Sequence, residues 1–337
     1  MMLKRRMLVC GAVSSMALPA VAGKAVAKAL QKAPAPAATQ SYETFLAGVR
    51  REAIQKGMNA SIVDDALSLT RQPNASVIKA DRHQPEFTMT WAKYKDRVIT
   101  NKKITDGQAA VAKRRSILRA ISTEYGVDEA AIAGIWGLES AYGVKTGTYH
   151  VIDSLATLAY DGRRSAFFRS ELFKALHILN QGDITPAGML GSYAGAMGQP
   201  QFMPSAYERY AASYPAGGRR DIWTNEPDVF ASIANYLAKC GWRAGEPWGE
   251  AVRVPAALTV GQIGRTVVKP VSYWAGIGVQ PVLGGQFGHA DMDGAVICPD
   301  GIDGEAYLVY HNFNVIRRYN PSDFYALGVG LLGSAIV

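Results

Sequence analysis

The chain has 337 residues, 48% of them hydrophobic, and a formal net charge of +8. That is enough for a sizeable core in one large or two smaller domains, and too apolar for a mainly disordered chain. Three cysteines and five scattered histidines without a Cys-x-x-Cys pair exclude a disulfide scaffold and a zinc pattern, and no Gly-rich loop after a strand or Gly-x-Ser-x-Gly suggests nucleotide or serine-hydrolase chemistry.

Lys4, Arg5 and Arg6 precede an apolar run from Met7 to Ala22, with small-residue cleavage sites at Ala20-Val21-Ala22 and Ala25-Val26-Ala27. This pattern predicts an export signal over residues 1–27, with Arg5-Arg6 a twin-arginine cue; the run is too short and Ala-rich for a membrane anchor, and Cys10 lies too early for a lipoprotein cysteine. Losing Lys4, Arg5 and Arg6 takes the charge from +8 to +5, a mildly basic balance that suits an anionic polymer. Of the cysteines, Cys240 and Cys298 then remain, which allows one bridge. Residues 28–40 are an Ala/Pro linker.

Phe45, Leu46, Val49, Ala53 and Ile54 predict a helix over 42–56, closed by Gly57, with a second over 61–69. Residues 81–98 break at Pro85 and then carry Phe87, Trp91, Tyr94 and Val98 at helical spacing, an aromatic stripe best read as core. Residues 107–125 predict a further helix with Ile117, Leu118 and Ile121 on one face.

The segment GVDEAAIAGIWGLESAYG, residues 126–143, predicts a helix over 129–142 with Asp128 as N-cap and Gly143 as a left-handed C-cap. Its apolar stripe of Ile132, Ile135 and Trp136 continues onto Glu139. An apolar neighbourhood and the negative end of a helix both disfavour a charged carboxylate. A carboxyl that keeps its proton near neutral pH is what general acid cleavage of a glycoside requires. A solvated glutamate at a helix end fits the spacing equally well.

Helices are predicted over 152–159 and 165–181, around a turn carrying Asp161, Gly162, Arg163 and Arg164. The Gly-, Pro- and Met-rich segment 189–207 lets backbone approach a ligand closely, and its Ser192, Gln201 and Tyr207 offer neutral hydrogen-bonding groups suited to sugars. A helix over 227–239 has Pro227 in its first turn and Gly241 past its end. Short alternating runs such as VRVPAAL and AYLVY predict strands between 248 and 309, and the chain ends in a helix that starts at Pro321, Ser322 and Asp323.

Five blocks, in order, resemble the membrane-bound lytic transglycosylase B family, bacterial enzymes that cleave peptidoglycan: DRHQPEF at 81–87, GVDEAAIAGIWGLESAYG at 126–143, GSYAGAMGQPQFMPSAY at 191–207, WTNEPDVFASIANYL at 223–237 and HNFNVIRRYNPSDFYALGVGLL at 311–332. The resemblance implies a mainly α protein, a lysozyme-like α+β core with a flanking helical domain and a small β-containing segment. Its division would be a helical domain over 41–118 packed with the C-terminal helix 321–337, a catalytic core over 119–247, a small β-containing domain over 248–312, and a segment over 313–337 returning to the core. Glu139 would be the sole catalytic acid and base, hydrogen-bonded by Ser192. Gln201, Phe202, Tyr236, Tyr319 and Asn320 would line a saccharide groove, with Tyr94 a looser match, and Arg163 and Arg164 would meet the peptide stem. Some relatives carry a calcium loop before the W-x-x-x-P-D block; here Ser213, Pro215 and Gly217 stand where acids are needed, so no metal or other cofactor is expected.

The implied reaction is cleavage between N-acetylmuramic acid and N-acetylglucosamine with closure of a 1,6-anhydro ring. A lone glutamate points to substrate-assisted chemistry in place of a carboxylate pair. Two other readings stay open: a lysozyme-type muramidase that uses water and a second acid such as Asp153, Asp161 or Asp221, and a non-catalytic wall-binding scaffold. The expected partner is the peptidoglycan strand, not nucleic acid, for a periplasmic monomer with at most a loose membrane or wall association.

Overall fold

The computed structural model describes residues 40–82 and 89–337. The predicted signal peptide, nearly all of the linker and the break at Pro85 lie outside the described residues.

The chain is mainly helical. Helices α1 (Tyr42–Gln55), α2 (Ala60–Leu67) and α4 (Trp91–Val98) open on Ser41, Asn59 and Thr90, whose side chains accept first-turn amides. Helix α3 (Ala75–Arg82) lies before α4 and is absent from the sequence expectation. Helix α5 (Asn101–Tyr125) starts six residues earlier than the spacing predicts, because Thr100 caps it by accepting the Lys103 amide. It runs unbroken through residue 118 and closes on Gly126 at φ 64°.

The next helix, α6 (Glu129–Ser140), departs from expectation at both ends. Asp128 sits at the N-cap position but accepts no capping amide, and burial pushes its carboxyl up. The helix stops two residues early, and the left-handed turn begins at Ala141 (φ 48°) and Tyr142 (φ 62°) before Gly143. Tyr142 explains the early stop: its buried ring packs edge-on against Trp136, and its hydroxyl donates to the Lys103 carbonyl at 2.9 Å. Ser140 seals the turn, donating to the Trp136 carbonyl and accepting the Gly143 amide, both at 3.1 Å.

Beyond the turn come β1 (Tyr149–His150), α7 (Val151–Asp161), α8 (Ser165–Gln181), β2 (Leu190–Gly191), α9 (Pro204–Tyr210) and α10 (Glu226–Lys239). Strands β1 and β2 form a small antiparallel pair. Strands do occur in 248–309 as predicted: β3 (Gly249–Arg253), β4 (Lys269–Pro270), β5 (Gln280–Pro281), β6 (Asp293–Ile297) and β7 (Ala306–Val309) make an antiparallel sheet in the order β4-β6-β7-β3-β5, with α11 (Val271–Gly276) inserted. Helices α12 (His311–Tyr319) and α13 (Asp323–Ile336) end the chain, α13 starting where the sequence places it.

Buried side chains fall into three clusters. One gathers Leu118 of α5, Trp136 of α6, Phe230 of α10, Phe313 of α12 and Val329 of α13. A second joins the first two helices to α7 and α8 through Val49, Val63, Leu155 and Leu172, and a third fills the sheet segment around Trp274 and Leu308. Trp91 is core, as its stripe predicts, with 1% of its surface exposed.

Within the first cluster α6 and α13 cross at backbone contact. A Cβ at Gly134 would collide with the Val329 carbonyl and one at Gly333 with the Ala130 carbonyl, whereas one at Gly328 would meet Leu138 and Tyr94 at an ordinary 3.4–3.5 Å. Gly134→Ala should therefore lower the unfolding free energy by about 1–3 kcal/mol through overpacking. Gly328→Ala should stay within about 1 kcal/mol of the parent because helix propensity favours it. Urea unfolding of the two variants checks the contrast, and equal effects would contradict the crossing.

Candidate active site

Glu139 stands in the last turn of α6, half-buried, with its helix locked on one side by α13 and on the other by the turn through Tyr142. From α13 the Tyr325 hydroxyl donates to Glu139 Oε1 at 2.6 Å. Burial first, and the Glu139 charge second, push the Tyr325 phenol well above its ordinary range, so it remains a proton donor at any physiological pH. Tyr319 lies nearly parallel to it, ring centroids 6.4 Å apart, and its phenol is raised by the same two causes in the same order. On α5 the half-buried Lys103 ammonium is lowered by burial and by Lys145, while the Glu139 charge works the other way. A carboxyl group is thus held among phenols with lysine charge nearby.

The Gly-rich loop is fastened to the same helix. Buried Gln199 accepts from Trp136 Nε1 at 2.7 Å, one turn before Glu139, and donates to the Trp223 carbonyl at 3.1 Å. Gln201, in left-handed backbone at φ 51°, donates to the carbonyls of Thr146 and Gly198. The Ser192 hydroxyl accepts the Ala194 and Ala196 amides at 3.3 and 3.0 Å and so shapes its own loop, while Tyr325 is one side-chain partner of Glu139.

Three of the predicted groove residues, Phe202, Tyr236 and Tyr319, come together as a cluster of tilted rings. Tyr236 and Tyr319 have ring centroids 4.7 Å apart, and Phe202 lies 5.8 and 5.7 Å from them. The Tyr319 hydroxyl donates to the Pro200 carbonyl and the Tyr236 hydroxyl to that of Arg318. Phe202 is only 1% exposed and lies inside this cluster. Asn320 is exposed and turns the chain into α13 by accepting the Ser322 amide at 3.1 Å. Tyr94 packs on Phe324, the neighbour of Tyr325, at 5.8 Å.

Arg163 and Arg164 are both tied to buried Asp81, and Arg163 also pairs with Asp161. Of the acids a hydrolytic pair would draw on, Asp153 accepts from Asn74, Asp161 also pairs with Arg82, and Asp221 accepts from Thr224, Trp223 and Arg219. Tyr325, Gln199 and Lys103 are the neighbours that the sequence reading missed. Tyr325 alone left a trace, as a hydroxyl-bearing aromatic in the first turn of an otherwise small and apolar helix.

The sequence family described as the transglycosylase SLT domain matches residues 41–334. Membrane-bound lytic murein transglycosylase B of Escherichia coli K12 is 30% identical over 252 residues, which is 73% of this chain and 67% of that protein. SltB3 of Pseudomonas aeruginosa, solved in complex with NAG-NAM-pentapeptide, superposes with a TM-score of 0.84 at 43% identity over 88% of this chain and 80% of that one. The E. coli lytic transglycosylase Slt35 in complex with calcium gives a TM-score of 0.73 at 28% identity, covering 87% and 92%.

A hydrogen bond to a charged group contributes roughly 1.5–3 kcal/mol. Tyr325→Phe should therefore slow any turnover that depends on Glu139 by about tenfold or more. Steady-state kinetics with a melting curve as control checks it; unchanged kcat/KM would remove Tyr325 from the site.

Proposed function

The chain belongs to the transglycosylase SLT domain family and is a lytic transglycosylase of peptidoglycan, and from that premise we propose that Glu139 alone serves as acid and base in forming 1,6-anhydromuramoyl ends. The observation that carries this reading is the company Glu139 keeps. Its neighbours include the phenols of Tyr325 and Tyr319 and the ammonium of Lys103, whereas Asp153, Asp161 and Asp221 are bound to partners of their own.

In the proposed sequence the Glu139 carboxyl protonates the oxygen linking N-acetylmuramic acid to N-acetylglucosamine as the bond to C1 breaks. The N-acetyl oxygen of the same sugar supports C1 through the oxocarbenium-like stage. The Glu139 carboxylate then takes the proton of the C6 hydroxyl, whose oxygen closes onto C1, so the enzyme regains its proton and no water is consumed. The Tyr325 hydrogen bond and the Lys103 charge both favour the carboxylate that the second step needs. Gln201, Asn320, Tyr236 and Tyr319 are the groups we assign to saccharide contact, Tyr94 and Phe202 to holding the aromatic wall, and Ser192 to the loop beside the acid. The basic N-terminal signal supports export to the periplasm, and among the described residues no helix is long and apolar enough to cross a membrane.

We also propose that the loop before α10 holds no calcium. In the loop before α10 the Arg220 guanidinium pairs with Asp183 at 2.6 Å and Arg219 with Asp221 at 3.4 Å. Burial works to raise the Asp221 carboxyl, but Thr224 and the Thr224 and Trp223 amides outweigh it and hold it below the usual carboxylate range. Asp228 accepts the Tyr214 and Asp221 amides. Arginines and amides thus occupy oxygens that a calcium cage would require.

Mass spectrometry of sugars released from purified peptidoglycan tests the chemistry. Anhydromuramoyl products lighter by one water than hydrolysis products are expected, and Glu139→Gln should abolish them while leaving glycan binding intact; reducing-end muramic acid would establish the muramidase instead. For calcium, neither a chelator nor millimolar Ca²⁺ should move the melting temperature, and a rise with Ca²⁺ would reinstate the site.

A further inference from the structure

Tyr325 holds Glu139 from the first turn of α13, and the ends of a helix are the parts that fray. The crossing with α6 grips α13 farther along, at Val329 and Gly333, and Gly333 lies about 12 Å beyond Tyr325 along the helix. Ahead of the first turn runs the connection Asn320-Pro321-Ser322, exposed at all three residues. Asn320 accepts the Ser322 amide at 3.1 Å and Ser322 the Tyr325 amide at 3.3 Å. These two bonds shape the connection but tie it only to itself and to α13.

Arg317 ties it to α12. With 15% of its side chain exposed, it donates from Nη2 to the Pro321 carbonyl at 2.5 Å and pairs with Asp323, the first residue of α13. A planar guanidinium is pre-organised to meet two acceptors at once. One side chain thus fastens both the middle of the connection and the start of α13 to the end of α12. That end is itself fixed: Phe313 and Ile316 are buried in the core, and the Tyr319 hydroxyl donates to the Pro200 carbonyl at 2.5 Å. Tyr319 has this bond independently of Arg317, so the phenol left dependent on Arg317 is Tyr325, two positions past Asp323. The two rings lie 11° from parallel across the joint that Arg317 closes. Arg265 of the β segment reaches the same Asp323 oxygen at 3.4 Å. Loss of Arg317 therefore leaves Asp323 with a cationic partner and strands no unpaired carboxylate.

We propose that Arg317 is a positioning residue for the reaction, acting on Glu139 through Tyr325: by holding Pro321 and Asp323 it fixes the first turn of α13 and with it the approach of the Tyr325 hydroxyl to the acid. The proposal rests on the reading of Glu139 as the acid and base.

Steady-state turnover of solubilised glycan strands by the full chain, read as kcat and KM in a double-mutant cycle of Arg317→Gln and Tyr325→Phe, tests it. Arg317→Gln should lower kcat by about three- to tenfold and leave KM within about twofold of the wild type. In the Tyr325→Phe background the same change should cost less than about twofold, because the hydrogen bond it protects is already gone. Arg317→Lys keeps the charge and gives up the fork; it should show the same non-additivity with a smaller loss, and it carries the test if Arg317→Gln does not fold. An equal loss in both backgrounds, a loss confined to KM, or an unchanged kcat would each overturn the inference and leave the assignment of Glu139 intact. Turnover retained in Glu139→Gln would sink both.

Discussion

The structure depends on one close approach, the crossing of α6 and α13 at Gly134 and Gly333. Helices that carry larger residues at their contact lie 8–10 Å apart. Here each glycine faces a backbone carbonyl of the other helix, and that proximity brings the Tyr325 hydroxyl to 2.6 Å from Glu139. The end of the chain thus reaches back nearly two hundred residues to hold the carboxyl group. Packing at the crossing and the chemistry at its edge are one arrangement.

A second constraint fixes what stands opposite the acid. Gln199 joins Trp136 on the acid's own helix to the Trp223 carbonyl, and its neighbour Pro200 accepts from Tyr319. Gln201 closes the circle on Thr146, just past the left-handed turn. With these bonds buried or part-buried, the loop has little freedom to slide against Glu139. The positive φ values at Ala141, Tyr142 and Gln201 belong to the same region. Non-glycine residues in that conformation cost of order 1–3 kcal/mol each and persist where the surroundings over-determine them.

Much of this was legible in the sequence. The stripe of Ile132, Ile135 and Trp136 leading onto Glu139 is a local, periodic signal, and so are the 165–181 helix and the Pro321/Ser322/Asp323 start of the last one. The end of α6 was misread because a glycine is the usual left-handed residue, whereas burial of Tyr142 forces the turn two positions earlier. The capping preference of Thr100 lengthened α5 in a way that its apolar spacing did not show. Tyr325, Gln199 and Lys103 were hidden for a different reason. Their importance lies in which distant residue they meet, and no periodicity records a pairing across 186 residues. The two arginines at 163 and 164 show the converse: chemically suggestive, but engaged by an aspartate that only the fold brings near.

In the mechanism we propose, the balance around Glu139 is what lets a single carboxyl serve where most glycosidases use two. Partial burial and the negative end of α6 favour the protonated acid. The Tyr325 hydroxyl and the Lys103 ammonium favour the carboxylate. Had the first pair of effects stood alone, the group would give a proton to the leaving oxygen poorly matched to taking one back; with only the second, it would hold no proton to give. The proposed mechanism asks the same group to give and to take a proton, and proton transfer is most efficient when the donor and acceptor forms lie close in free energy. The sequence supplied the first half of that balance through spacing alone, and the crossing of α6 with α13, together with α5, supplies the second.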